Sequence, residues 1–424
     1  MALHVAVLGA GISGLASAIA LKKYLPDPDA EIKITIIEIR PSPSTIGGAV
    51  NLTPKALRYL DHLGVLEVLN RNGAGAECKK IEIFDLCTGS KSAELDFCGV
   101  DGNGIGAPGS AYFARRVMRA ELQSAMLEIC EGLENVRVLF EKKTVSIEER
   151  CDSVELYFES GDSMVADLVL GCDGIHSACR SLLVDPGNTP SCTGVATSMA
   201  TSKVRGPDQL RWQTTGLVQS RKGSFMASYF NESRQGQYIA VVVETPEVAD
   251  REGWKIRGSD QKAIKDDILQ RFDSAAMPEL RELIEDAGDW TMCPVYQLPM
   301  GGKWMSSRGR CILIGDAAHA MPPQGESTGI CIEDAIVFSR AMMHYRNHAL
   351  RSILTAYERY RRPKTDAEVL KAVSRWESVK DKGWLAHKLL MLITPWYLWW
   401  TAASRNNEFS DDFTKLDFDI TASL

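Results

Sequence analysis

Val5-Ala6-Val7-Leu8-Gly9-Ala10-Gly11-Ile12-Ser13-Gly14, continuing into Leu15-Ala16-Ser17-Ala18-Ile19-Ala20-Leu21, decides the fold. A short apolar run, three glycines at fixed spacing and a small-residue helical face form the fingerprint of a dinucleotide-binding βαβ unit. Gly9 lets the chain turn tightly off the strand. Gly11 has no side chain, so backbone can approach a pyrophosphate, and Gly14 lets the helix pack close to the sheet. The helix N-terminus adds free N–H groups and a partial positive charge for the phosphates. Ile32-Lys33-Ile34-Thr35-Ile36-Ile37-Glu38 reads as the second strand, ending in an acid of the kind that holds a ribose hydroxyl.

The whole chain fits that reading. It has 424 residues, enough for two domains or one large domain with an insertion. It is 45% hydrophobic and 24% charged, as expected of a globular protein. A formal net charge of -7 disfavours nucleic acid as the main partner. Eleven cysteines are scattered without a CxxC pair, and the Cys172/Cys179 spacing matches no common zinc pattern, so free thiols in the cytoplasm and no metal site are expected. The apolar N-terminus has no basic n-region, which argues against a secretory signal. No apolar run reaches the ~18 residues of a membrane span.

Downstream of Glu38, Pro41 to Leu52 is a loop containing Gly47-Gly48-Ala49, and Thr53-Pro54 caps and starts a helix. Spacing leaves this loop open between a simple connection and a segment lying against a flat cofactor ring. Ile81 to Phe97 alternates like a hairpin. Tyr112 to Cys130 reads as a long helix after a short strand, carrying Arg115, Arg116 and Arg119, either as a solvated helix face or as phosphate ligands. A β-meander is expected over 136–170, entering Gly171-Cys172-Asp173-Gly174-Ile175-His176-Ser177. Residues from about Pro186 to Met300 read as an inserted sheet with helices over it. Gly309 to Asp316 then returns to buried-strand grammar, followed by a glycine turn and a long helix. The expected parts are 1–185, the first part of a Rossmann-like domain; 186–300, a substrate-binding sheet; 301–360, the returning part; and 361–424, a helical C-terminus. The whole is an α/β chain. Leu389 to Trp400 is its most apolar run, is broken by Pro395, and is expected to pack against the body, with peripheral membrane contact as the alternative.

Three motifs now stand in order, and together they resemble the para-hydroxybenzoate hydroxylase-type, single-component flavin monooxygenases. They are Gly9 to Gly14 with Glu38; Cys172-Asp173-Gly174-Ile175-His176-Ser177-Ala178-Cys179-Arg180, similar to that family's "DG" motif; and Gly315-Asp316-Ala317-Ala318-His319-Ala320-Met321-Pro322-Pro323, similar to its "GD" motif. The last eighty or so residues more loosely resemble fungal secondary-metabolite and salicylate hydroxylase-like members. The resemblance implies FAD as cofactor, with Glu38 on the adenosine ribose and Gly48 and Ala49 near the flavin ring. It also implies Arg119 near the FAD linker, with Arg115 as the alternative, and Asp316 at the ribityl chain or its phosphate contacts. Asp173 and Arg180 would serve both FAD and NAD(P)H. Where the family often has a glycine-glutamine-glycine-x-asparagine loop, this chain has Gln324-Gly325-Glu326-Ser327-Thr328-Gly329-Ile330, one residue shorter. Gly325 and Gly329 still permit close backbone approach.

Side chains cannot activate dioxygen unaided, so the hard step belongs to the flavin. The resemblance implies reduction by NAD(P)H, reaction with dioxygen through a C4a-hydroperoxide, and hydroxylation or epoxidation of an apolar aromatic or polycyclic small molecule. The alternatives are a flavoprotein oxidase or dehydrogenase of the same fold and a non-catalytic flavin-binding protein. His319 and His176 read as hydrogen-bonded structural histidines, because no second metal-ligating histidine stands near them. Tyr229, Phe230, Met226 and Tyr296 lie on expected strands of the insertion, and Tyr229 is the one named candidate for contact with substrate.

Overall fold

The computed structural model describes residues 3–25, 32–45, 47–203, 210–246, 251–323 and 325–418, so Gln324 of the shortened loop lies outside the described residues. Its centre is a five-stranded, all-parallel sheet in the order Cys311–Leu313, Leu168–Gly171, Leu3–Leu8, Ile32–Ile37, Val136–Leu139. Cys311–Leu313 and Leu168–Gly171 are continuous buried runs, as in a sheet covered on both sides, whereas the edge strand Val136–Leu139 is only partly buried and carries Arg137. Leu8 pairs with both Ile37 and Gly171, and Gly171 pairs with Leu313. The carboxyl ends of four neighbouring strands therefore lie in one row. Helix Ile12–Tyr24 is buried nearly all round and packs against helices Ser327–His344 and Arg119–Glu131.

The meander expected over 136–170 divides between two sheets. Val136–Leu139 and Leu168–Gly171 belong to the parallel sheet, while Thr144–Glu149, Val154–Phe158 and Ser163–Ala166 form a separate antiparallel sheet. Ile147, Leu156 and Phe158 of that small sheet join the same apolar core as the parallel strands.

The second large sheet has seven strands, in the order Gly288–Gln297, Ser191–Lys203, Gly236–Glu244, Gly223–Tyr229, Thr215–Ser220, Lys80–Asp85, Lys91–Asp96. The hairpin over 80–96 thus completes this sheet, although it lies well before the insertion that begins at about Pro186. Its Phe84 packs on Trp212, with ring centroids 6.3 Å apart. One face carries Phe225, Ala227, Ile239 and Val241 under helices Gln261–Phe272 and Pro278–Asp286. The other face carries Met226 beside Ala240 and Ser228 beside Tyr238.

A three-stranded antiparallel sheet, Ala49–Leu52, Ala114–Met118 and Ala76–Cys78, links the parallel sheet's core to the second large sheet. The long helix expected over 112–130 is therefore a strand through Met118 and a helix only from Arg119. Arg115 and Arg116 alternate across a strand and share no helix face with Arg119.

Helix Leu350–Glu377 continues through Pro363 and packs on Ser327–His344. Helix Trp384–Trp400 meets the packing expectation for the apolar run on one face only, where it rests on strand Lys91–Asp96. His387 is its one buried residue, and Leu392 and Trp399 are 75% and 74% exposed. No described helix is long and apolar enough to cross a membrane.

Candidate functional site

The three glycine motifs leave the carboxyl ends of three adjacent parallel strands, the edge at which open α/β sheets bind ligands. They touch one another there. Gly9 has φ +101°, and a Cβ on it would stand 2.6 Å from the Cys172 carbonyl oxygen, so the first motif is pressed against the second. A Cβ on Gly315 would stand 2.6 Å from Ser13 Oγ and 3.1 Å from Cys331 Sγ, so the third motif is pressed against the first and against helix Ser327–His344. Gly14 meets the Gly9 carbonyl, at 2.0 Å from the same construction. Gly11 differs from these, because a Cβ there would meet nothing within 4 Å. It heads helix Ile12–Tyr24, whose first amides have no intrahelical acceptor. The buried Ser13 Oγ has no hydrogen-bond partner among the described residues. An open, glycine-lined helix start with an idle hydroxyl beside it fits a dinucleotide pyrophosphate.

Glu38 stands at the end of the neighbouring strand. Its carboxylate accepts from the Ala10 amide at 2.9 Å and the Arg40 amide at 3.0 Å, which fixes it against the glycine turn. Asp173 accepts from the amides of Ala178 and Cys179 at 2.7 and 3.1 Å, capping its own turn, while its other oxygen is buried with no hydrogen-bond partner among the described residues. Burial pushes this carboxyl up from the ordinary range, against the hydrogen bonds that lower it. Arg180 donates to three backbone carbonyls, those of Asn188 at 3.0 Å, Ala317 at 2.8 Å and Ile175. Its guanidinium is thus a brace between the second and third motifs. Asp316 opens the short helix Asp316–His319 and is half-buried.

Of the two arginines considered for the cofactor linker, Arg119 is the one beside the Gly47 loop, its Cδ 4.0 Å from a Cβ built on Gly47. Arg115 turns away to Asn70 and lies 3.6 Å from Glu232. The Gly48 carbonyl accepts from the Arg119 amide at 3.0 Å, and Ala49 pairs with Met118. Gly325, with φ +85°, faces Asn51, and Gly329 packs on Ala56. The described part of the shortened loop therefore lies against the Asn51–Ala56 segment. Tyr229 shares the strand alternation of Phe225 and Ala227. It is Tyr238, on the other face, that meets this loop, its ring 2.0 Å from a Cβ built on Gly48.

A buried charge network holds the third motif, and sequence reasoning found only one of its members. Asp334 accepts from the Gly315 amide at 3.0 Å, from His319 Nε2 at 2.6 Å and from Arg361 Nε at 2.6 Å. Arg361 also pairs with Glu333 at 2.9 Å, and Glu333 with Lys55 at 2.6 Å. Burial alone would raise the Asp334 carboxyl, but His319 and Arg361 hold it below the usual range. His319 is thus the hydrogen-bonded structural histidine expected of it. The available signal was Glu333-Asp334 in the middle of an apolar helix, where buried carboxylates require cationic partners.

Residues 2–372 match the FAD binding domain family. A salicylate hydroxylase of Pseudomonas putida is 28% identical over 383 residues, covering 85% of this chain and 82% of its own. A 3-amino-4-hydroxybenzoate 2-monooxygenase of Streptomyces platensis is 30% identical over 346 residues, covering 79% of this chain and 78% of its own. The crystal structure of Klebsiella pneumoniae HpxO complexed with FAD and uric acid shares the fold, with a TM-score of 0.75 at 20% identity, over 96% of this chain and 95% of that one. With that match and three motifs meeting at one sheet edge, the chain belongs to the FAD binding domain family and is a class A FAD-dependent monooxygenase.

Proposed function

We propose that this enzyme inserts one oxygen atom into an aromatic small molecule, by hydroxylation or epoxidation, with NAD(P)H as reductant. The observation that carries the reading is the meeting of three glycine turns at one carboxyl edge, with the Met226/Tyr238 face of the second sheet lying against the same loop. FAD would be held by the amides after Gly11 at its pyrophosphate, by Glu38 at the ribose, by Arg119 and Asp316 along the linker and ribityl chain, and by Gly48, Ala49, Gly325 and Gly329 around the ring. Bound there, it supplies two-electron chemistry with NAD(P)H and dioxygen that no side chain offers. Helix Ser327–His344 begins just after the Gly325 turn, so its free amides and positive end are suited to stabilise negative charge on the reduced ring. Arg180 acts as a positioning residue, since backbone carbonyls occupy its guanidinium, while the second oxygen of Asp173 is left to serve FAD or NAD(P)H. The apolar second sheet would exclude water from the reacting atoms.

Substrate-dependent NAD(P)H consumption that yields an oxygenated product tests the reading. One peroxide released per NAD(P)H with every aromatic substrate would point to an oxidase instead. Relatives named for salicylate and aminohydroxybenzoate make phenolic acids the first compounds to screen. All eleven cysteines are unpaired, which supports placement in the reducing cytoplasm.

A further inference from the structure

The buried cation that the site leaves unexplained is Arg116. It pairs with Asn51 on one side and Ala76 on the other, so its side chain shares a face with Asn51 and points away from the core face of Val117 and Leu52. It is 4% exposed. Among the described residues its Nε has no hydrogen-bond partner, and one terminal nitrogen reaches only the Met226 thioether, at 3.4 Å. The ionisable groups around it are the Cys78 thiol and the Tyr238 hydroxyl, with no carboxylate among them. Asn51, beside it, is also buried and has an idle side-chain oxygen.

Arg115, Arg180 and Arg361, also buried, have polar or charged partners. Arg180 has three carbonyls and Arg361 has two carboxylates. Leaving a planar guanidinium desolvated against a thioether is costly, and in a folded chain such a group calls for an anion. It stands between the small sheet that carries Gly48–Asn51 and the Met226/Tyr238 face of the second sheet. A substrate lying next to the flavin ring would occupy that boundary.

We propose that Arg116 is the specificity-determining residue of this monooxygenase: it receives a carboxylate on the aromatic substrate, while Met226 and Tyr238 wall the ring. The inference rests on the monooxygenase reading and adds to it the charge of the substrate. A carboxylate offers two oxygens to the guanidinium fork and fixes the ring's orientation as well as its affinity.

The test has two arms. In the first, salicylate and salicylamide are titrated into the FAD-loaded protein and binding is followed by calorimetry. Wild type is expected to prefer the acid by about tenfold or more, and Arg116→Gln to lose that preference while retaining FAD and its affinity for the amide. Arg116→Lys restores part of the preference. In the second arm, apoprotein Arg116→Met melts at or above the wild-type temperature, because an unpaired buried charge has been replaced by an apolar chain beside Met226. Equal binding of acid and amide by wild type overturns the proposal. So does loss of FAD from Arg116→Gln, which would assign the missing anion to the cofactor, or a fall of more than about 3 °C in Arg116→Met, which would make the arginine structural. A wild-type chain that binds no FAD would defeat the monooxygenase reading, whereas the melting arm reports on Arg116 in either case.

Discussion

Replacing Asp334 with alanine removes the acceptor shared by Gly315, His319 and Arg361. Its side chain is 0% exposed and that of Arg361 3%, so the loss strands a buried cation with Glu333 as its remaining charged partner. Breaking a buried pair from one side typically costs about 3–5 kcal/mol. Unfolding entropy of about 2.1 cal/mol/K per residue gives roughly 0.9 kcal/mol per degree for a chain of this size, so the melting temperature is expected to fall by about 3–6 °C at pH 7. The pH dependence has a definite sign. The Asp334 carboxyl is held below its ordinary value in the folded protein, so its contribution is present above the unfolded value near ~4 and is lost as pH falls through the folded one. The gap between wild type and Asp334→Ala should therefore be widest at neutral pH and close on acidification below about pH 4. Denaturant unfolding across that range measures it. Because Asp334 also fixes the Gly315 amide, flavin content should drop in the same variant. A melting temperature within about 1 °C of wild type, with full flavin content, would refute the reasoning.

Gly14→Ala should destabilise the fold outright, since its Cβ would lie 2.0 Å from the Gly9 carbonyl oxygen; the readout is soluble yield and melting temperature. Arg180→Gln removes charged hydrogen bonds to three carbonyls and should cost about 3 kcal/mol or more, seen as lowered stability of the apoprotein as well as the flavin-loaded form. Conversely, Leu392→Ser with Trp399→Ser on the exposed helix should leave the melting temperature within about 1 °C and reduce self-association in light scattering.

Much of the site was legible because its requirements are local. Gly9, Gly11 and Gly14 each answer a different steric demand within a few residues, and Glu38 follows from the strand that ends before it. That Asp316 follows a strand and that His319 is structural came from the same short-range grammar. What escaped depended on partners distant in sequence. The alternation over 80–96 identifies a hairpin, but only the register with Thr215–Ser220 assigns it to the second sheet. Arg115, Arg116 and Arg119 suit a helical spacing, yet the chain spends the first two on a strand, sending them to opposite faces. Tyr229 and Tyr238 are both strand aromatics, and the pairing of Ser228 with Tyr238 determines which shares the Met226 face. The apolar content of 384–400 suggests burial, whereas its outer face is exposed, a disposition that composition does not encode.

The account's central claim is that the three glycine turns form one FAD site, and Gly11→Val tests it most directly. Gly11 has a φ of -78°, and a Cβ there meets nothing within 4 Å, so the variant should fold with the circular dichroism and apoprotein melting temperature of wild type. Its side chain would fill the space assigned to the pyrophosphate, and the purified protein should be colourless, with bound flavin below about a tenth of wild type. A folded Gly11→Val protein that remains fully yellow would contradict the claim.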